Sequence, residues 1–304
     1  MREGRIMKKK YAAIASLLIV FVLALPASSG AGAPAKNKHF FWKVHAAAGT
    51  VYILGSIHYL KKNVYPLDSV IEDAFLKSNV LAVEANVDDL SRVDMENLMA
   101  RVFYQDEDTL EKHLSSETYE LLKKELGEYG IPIELVYRER PWFVSLTLTS
   151  LELLKLGFDP DYGIDRHFLS EAGGTKRIEE LESVNYQIDL LSSFSDPDQE
   201  LFLLYTLQDL HLMSRESDEL LGAWRSGDTR MMESLVFRGE VSGKQISRVY
   251  EKLLYERNRN MASRIEAFLR TKDTYFVVVG AAHLVGTKGI VETLRRKGYV
   301  IEQW

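Results

Sequence analysis

The 304-residue sequence contains no cysteine. That one absence excludes disulfides, thiolate metal ligands, a cysteine nucleophile and a lipid anchor on an N-terminal cysteine. A metal site in this chain would draw on His and carboxylate ligands, with backbone or water oxygens. Positive charge is also scarce: 38 Lys and Arg stand against 44 Asp and Glu, a net charge of -6. Nucleic-acid binding depends on clustered Lys and Arg near phosphates, so nucleic acid is set aside as a partner. Apolar runs are short. From Ala12 to Leu25 the chain is apolar apart from Ser16, about 14 residues, below the roughly 20 that a spanning helix needs. No later segment is long and apolar enough to cross a membrane. His-Glu-x-x-His, Gly-x-Ser-x-Gly and a phosphate-binding glycine loop are all missing.

What is present begins with a targeting pattern. Lys8, Lys9 and Lys10 precede the apolar run, Pro26 breaks it, and the small residues Ala27 to Ala31 follow. Charge, short apolar stretch and small-residue cleavage site together read as a signal peptide over residues 1–31, cleaved after Ser29 or Ala31. The other reading is an uncleaved anchor, the only route to a membrane. The expected location is extracytoplasmic. A linker over residues 32–38 then leads into one domain over 39–304, whose length and 46% apolar content suit a single large core.

Within that domain, Phe40–Val44 and Val51–Ile57 read as a β-hairpin. Pro66 opens a helix from about Leu67 to Ser78, and Val80–Glu84 is a short strand, a strand–helix–strand order that favours parallel pairing. The middle is helical. Ser115 or Ser116 caps a helix running toward Gly127, and Trp142–Leu156 is apolar on most sides and so buried. Asp196-Pro197-Asp198-Gln199 starts another helix, with Asp196 as cap. A long charged helix spans about Ser242 to Leu269. Thr274–Val279 returns to strand, followed by a helix over Gly289–Lys297 and a strand over Tyr299–Gln303. The fold class is therefore α/β, or α+β: a central mixed sheet built from both chain ends, covered by a large helical insertion.

The candidate chemistry sits at strand ends. Val51–Leu54 leads into Gly55-Ser56-Ile57-His58, and Tyr275–Val279 leads into Gly280-Ala281-Ala282-His283. In both, a Gly permits close backbone approach and a His follows three residues later. Ligands bind at the carboxyl edge of open α/β sheets, where these imidazoles project. Glu84 ends a third strand in the same kind of position. Two imidazoles and a carboxylate make a metal site with open positions. Asp165, in Gly163-Ile164-Asp165, either caps a helix or aims its carboxylate at the same pocket and orients a ligand His. Arg257 and Asn258 lie on the long helix. They belong either to a solvated face or to the cleft, where Arg257 would grip an anion or a developing oxyanion. His39, His45, His113 and His211 have no spaced partners.

These stretches, with Phe41-Trp42-Lys43-Val44, Val83-Glu84-Ala85-Asn86, Pro141-Trp142, Leu156-Gly157-Phe158, Ala223–Asp228 and Glu256–Asn260, fall in order over nearly the whole domain. The ordered set resembles the TraB/GumN family, which includes the animal TIKI-type proteases. The resemblance implies a fold like that of erythromycin-esterase and ChaN-like proteins. It also implies a site made of both Gly-x-x-His motifs, the Glu after the third strand, and Arg257 and Asn258. TIKI-type relatives are proteases dependent on manganese or cobalt; plasmid-borne relatives shut down peptide pheromones. Asn86 departs from the pattern, standing where many bacterial relatives have Asp. The expected function is an exported hydrolase acting on a peptide or protein. His58, His283 and Glu84 would hold manganese, cobalt or zinc, Asp165 would support them, Arg257 would stabilise the oxyanion and Asn258 would hold substrate. Two other readings stand beside it: a non-catalytic extracytoplasmic binder of peptide, haem or metal, and an esterase on the same scaffold.

Overall fold

The hairpin comes first, in the register that its β-branched and aromatic residues favour. β1 (Phe41–His45) pairs antiparallel with β2 (Thr50–Ser56), Phe41 opposite Leu54 and Val44 opposite Val51. This computed structural model describes residues 38–46, 48–89, 95–237 and 246–304. The signal peptide and nearly all of the linker lie outside the described residues. After β2 come α1 (Ser69–Lys77) and β3 (Val80–Val83). The helical insertion follows: α2 (Met95–Val102), α3 (Ser116–Glu128), α4 (Pro141–Lys155) and α5 (Ile164–Ala172). A short strand, β4 (Arg177–Glu180), interrupts it. The helices resume as α6 (Val184–Ser192), α7 (Asp196–Asp209), α8 (Met213–Arg225), α9 (Thr229–Val236), α10 (Ile246–Tyr250) and α11 (Arg257–Phe268). The chain closes with β5 (Thr274–Gly280), α12 (Ile290–Arg296) and β6 (Val300–Gln303).

The six strands form one mixed sheet in the order β4-β3-β5-β2-β1-β6. β4, β3, β5 and β2 run parallel, while β1 is antiparallel to both β2 and β6. Strands from the two ends of the domain share one sheet, as the sequence leads one to expect, but β2 and β3 do not pair with each other: β5, late in the chain, lies between them and runs parallel to both. Phe276 on β5 anchors one face, its ring 5.4 Å from Phe75 of α1 and 4.7 Å from Phe168 of α5. A second apolar cluster lies wholly in the helical part, where Leu122 and Leu126 of α3 meet Leu203 and Leu207 of α7. α4 serves both cores. Trp142 and Leu146 join the sheet cluster, and Val144 and Leu148 the helical one, so the helix is apolar on most sides because it is sandwiched.

Three local expectations are corrected. β4 reads Arg-Ile-Glu-Glu, with no apolar alternation, and is a strand because it pairs at the sheet edge with β3. The helix expected from about Ser242 to Leu269 is not uniform: residues 242–245 lie outside those described, and residues 251–256 form a π-helical turn between α10 and α11. The cap of α7 is Ser195 rather than Asp196. The Ser195 side chain accepts from the Asp198 N–H, and Gln199 Nε2 reaches back to the Phe194 carbonyl at 2.9 Å. Ser195→Ala should lower stability by roughly 1 kcal/mol, the usual worth of a Ser cap, measured as a shift in the urea midpoint at unchanged slope.

Candidate functional site

Parallel neighbours end on the same side of a sheet. Here the register sets Ser56 beside Gly280 and Val83 beside Val278, so β3, β5 and β2 deliver their next residues to one edge. Glu84 follows β3 directly. His58 follows β2 by two residues. A 3₁₀ turn over Ala281–Leu284 folds His283 back over the end of β5. All three side chains are buried.

The paired glycines turn out to serve different purposes. At Gly55 a Cβ would strike the Phe40 ring at 2.3 Å, so that glycine makes room for core packing. At Gly280 a Cβ would lie 3.1 Å from Glu84 Oε1, 3.4 Å from His283 Cδ2 and 3.6 Å from His58 Nε2. Gly280 is thus the floor around which the three candidate ligands gather.

Each imidazole is held from behind. His58 Nδ1 lies 2.5 Å from Asp165 Oδ2, which also accepts from the Ser56 hydroxyl. Asp165 reaches that position because α5 abuts the backbone of residues 57 and 58. The Ile164 N–H donates to the Ile57 carbonyl at 3.1 Å, and at Gly163 a Cβ would meet the His58 carbonyl oxygen at 2.3 Å. Gly163 is the N-cap of α5 and Asp165 sits inside its first turn, so the capping alternative for Asp165 does not hold. On the other side, Asn258 Nδ2 donates to the Lys288 carbonyl at 3.0 Å, turning Asn258 Oδ1 toward His283 Nδ1 at 2.6 Å. Nδ1 of His283 must therefore carry the proton. In both rings Nε2 is the nitrogen left without a hydrogen bond: His58 Nε2 is buried without a partner, and His283 Nε2 lies 3.7 Å from Glu84 Oε1.

Glu84 is the hub. Its Oε1 accepts the Gly280 N–H, and its Oε2 accepts Arg257 Nη2 at 2.7 Å. Arg257 also grips Glu182, from Nε to both carboxylate oxygens at 3.0 Å and from Nη2 at 2.8 Å, and donates Nη1 to the Leu253 carbonyl in the π-helical turn. Burial raises the Glu84 pKa against the opposing charges of Arg257 and His58. Burial, with the charges of Arg257 and His58, drives the pKa of His283 well below its ordinary value and keeps it neutral. For His58 burial pulls downward, but the charge and hydrogen bond of Asp165 outweigh it and the net shift is upward.

Of the sequence alternatives for Arg257 and Asn258, the solvated face is excluded, since both are buried; Arg257 bonds Glu84 and Glu182, and Asn258 bonds His283, in place of the expected oxyanion and substrate. Asn86 lies apart from the cluster, its side-chain oxygen accepting the Asp88 N–H at 3.2 Å. His39, His45, His113 and His211 pair instead with Asp68, Glu302, Asp108 and Glu125, none of which belongs to this cluster. Ser56 and Glu182 join the site without a signal of their own in the sequence. Ser56 lies inside the first Gly-x-x-His motif, and the signal for Glu182 was hidden with the unrecognised strand β4.

The chemistry of the donors fits a divalent ion. Two Nε2 atoms stand near a carboxylate, both Nδ1 atoms have fixed partners, one buried nitrogen lacks a partner, and three carboxylates stand against one guanidinium. Among the described residues, no group of three or more His, Asp or Glu is gathered tightly enough to hold a metal as it stands. Ile57, Tyr59 and Leu60, the chain neighbours of His58, help to line a mainly apolar cavity of about 90 Å³ together with Leu153, Phe158 and Leu220, while His58, Glu84 and His283 themselves do not line it. No helix among the described residues is long and apolar enough to cross a membrane.

A family model described as the TraB/PrgY/gumN family matches residues 40–303. Uncharacterized protein YbaP of Escherichia coli is 28% identical over 261 residues, 85% of this chain and 89% of YbaP. Metalloprotease TIKI homolog of Nematostella vectensis is 24% identical over 193 residues, 54% of this chain and 40% of that protein. Metalloprotease TIKI1 of Danio rerio is 35% identical over 66 residues, 21% of this chain and 13% of that protein. No solved structure matches, and the expected likeness to erythromycin-esterase and ChaN-like folds stays an expectation from sequence.

Proposed function

This chain belongs to the TraB/PrgY/gumN family, and we propose that it is a divalent-metal-dependent hydrolase of peptides, working outside the cytoplasm, with His58, His283 and Glu84 as its ligand set. The observation that carries the reading is the gathering of those three groups around the Cα of Gly280, each imidazole presenting Nε2. Names of relatives add support: the matched proteins of Danio rerio and Nematostella vectensis are called metalloproteases.

A divalent ion bound there would polarise a scissile carbonyl and acidify a water. The protein's own part is orientation. Asp165 and Asn258 fix the ring planes and tautomers, so that neither Nε2 spends its lone pair elsewhere. Arg257 offsets the charge of buried Glu84. The cavity along residues 57–60 would take an apolar side chain of the peptide.

The test is metal content after loading with manganese, cobalt or zinc, together with hydrolysis of peptides bearing apolar side chains. Wild type should retain an ion and cleave. His58→Ala and His283→Ala should lose both the ion and the activity. Equal metal in all three proteins would remove the reading. A Soret band on titration with haemin, without turnover of any peptide, would favour a binder instead.

A further inference from the structure

We propose that Glu182 is a positioning residue, which holds the guanidinium of Arg257 off the face of Glu84 that looks toward the two histidines. Its place comes from the sheet. Beyond the last paired residues of β3 and β4, the Leu181 N–H donates to the Val83 carbonyl at 2.8 Å and the Glu182 N–H to the Glu84 carbonyl at 2.7 Å. The parallel pairing thus runs past the strand ends and sets Glu182 beside Glu84. Its side chain is only 4% exposed, and Gln187 Nε2 donates to it at 3.2 Å.

The division of the guanidinium is uneven. Glu182 takes Nε and Nη2 of Arg257, the two-nitrogen grip for which that planar group is suited. Glu84 receives Nη2 alone, and on Oε2. Oε1 of Glu84 is left toward Gly280 and His283. Without the carboxylate at 182, the same fork can swing onto both oxygens of Glu84 and close the oxygen that faces the imidazoles. This inference rests on the reading of Glu84 as a ligand.

Glu182→Gln and Glu182→Asp should both be made in the full chain, the first removing charge and the second keeping it on a shorter arm. Cobalt and manganese affinity is read by competition with a chromophoric chelator. The Arg257 Nε–H resonance is followed by ¹⁵N NMR in the metal-free protein. Both variants should bind the metals roughly 10- to 100-fold more weakly, as for other groups that orient a ligand. The Arg257 Nε–H signal should move in both before any metal is added, reporting the changed acceptor, and the metal affinity then shows whether that change reaches Glu84. Wild-type affinity in Glu182→Gln, or an unmoved Nε–H signal, overturns the proposal. So does full affinity in Glu182→Asp, which would reduce the role of residue 182 to charge. If Glu182→Gln fails to fold, Glu182→Asp decides alone. Should wild type take up no metal, the hydrolase reading falls, while the NMR signal still decides whether Glu182 positions Arg257.

Discussion

Gly280→Ala should cut peptide hydrolysis by roughly 10²-fold or more while leaving a folded protein, because misplacement of reacting groups by about an ångström is enough for such a loss. The backbone itself tolerates alanine, since φ is -50° and ψ 135° at this position. The damage comes from where the methyl group goes. It would lie 3.1 Å from Glu84 Oε1, closer than ordinary contact, with His283 and His58 just beyond. Glu84 cannot retreat freely, because Arg257 and the Gly280 N–H hold it. The added group therefore occupies the place where the three side chains face one another. Gly55→Ala is the contrasting variant: its methyl group meets the Phe40 ring, so that change should appear first in stability, by about 1–3 kcal/mol of overpacking. Thermal melts of both variants beside initial rates on one peptide will separate the cases. Full activity in Gly280→Ala would mean that the strand-end cluster is not where the reaction occurs.

Arg257→Met should destabilise the metal-free protein by roughly 3–5 kcal/mol, the usual consequence of stripping the partner from a buried ion pair. Two buried carboxylates, Glu84 and Glu182, would lose the cation that they share. Met has nearly the volume of the lost side chain, so the shortfall is chiefly electrostatic. The sign of its pH dependence follows from Glu84, whose pKa burial already raises. An acid with a raised pKa in the folded state contributes most stability below its unfolded pKa and loses it as pH rises through the folded value. Removing Arg257 deepens that behaviour, so the deficit should be larger at pH 8 than at pH 5. Urea unfolding at the two pH values checks it. A deficit of equal size at both would point to packing instead of charge.

The sequence makes the central strands plain because each carries a continuous run of β-branched, aromatic and other apolar residues: Val51 to Leu54 in β2, Tyr275 to Val279 in β5. Both are buried on two faces, so composition alone identifies them. The Gly-x-x-His repeat then leads to the correct edge of the sheet. Its two glycines look alike in sequence, yet only tertiary neighbours tell the one under Phe40 from the one under the imidazoles. Glu182 was illegible for a related reason. β4 carries Arg and Glu and owes its existence to pairing with β3, so neither the strand nor the acid that follows it has a local signal. Nor does any periodicity announce a π-helical turn, the widened turn whose Leu253 carbonyl takes a bond from the Arg257 side chain.

The interleaving of β5 between β2 and β3 also constrains how the protein is made. As the chain leaves the ribosome, β2 and β3 emerge with a vacant slot between them, and its occupant arrives nearly 200 residues after β3, at Thr274. Until that strand docks, His58 and Glu84 have no floor between them and no second imidazole opposite. Such distant pairing is slow to form, so the nascent polypeptide spends most of its synthesis without the assembled strand-end cluster and gains it only near the end.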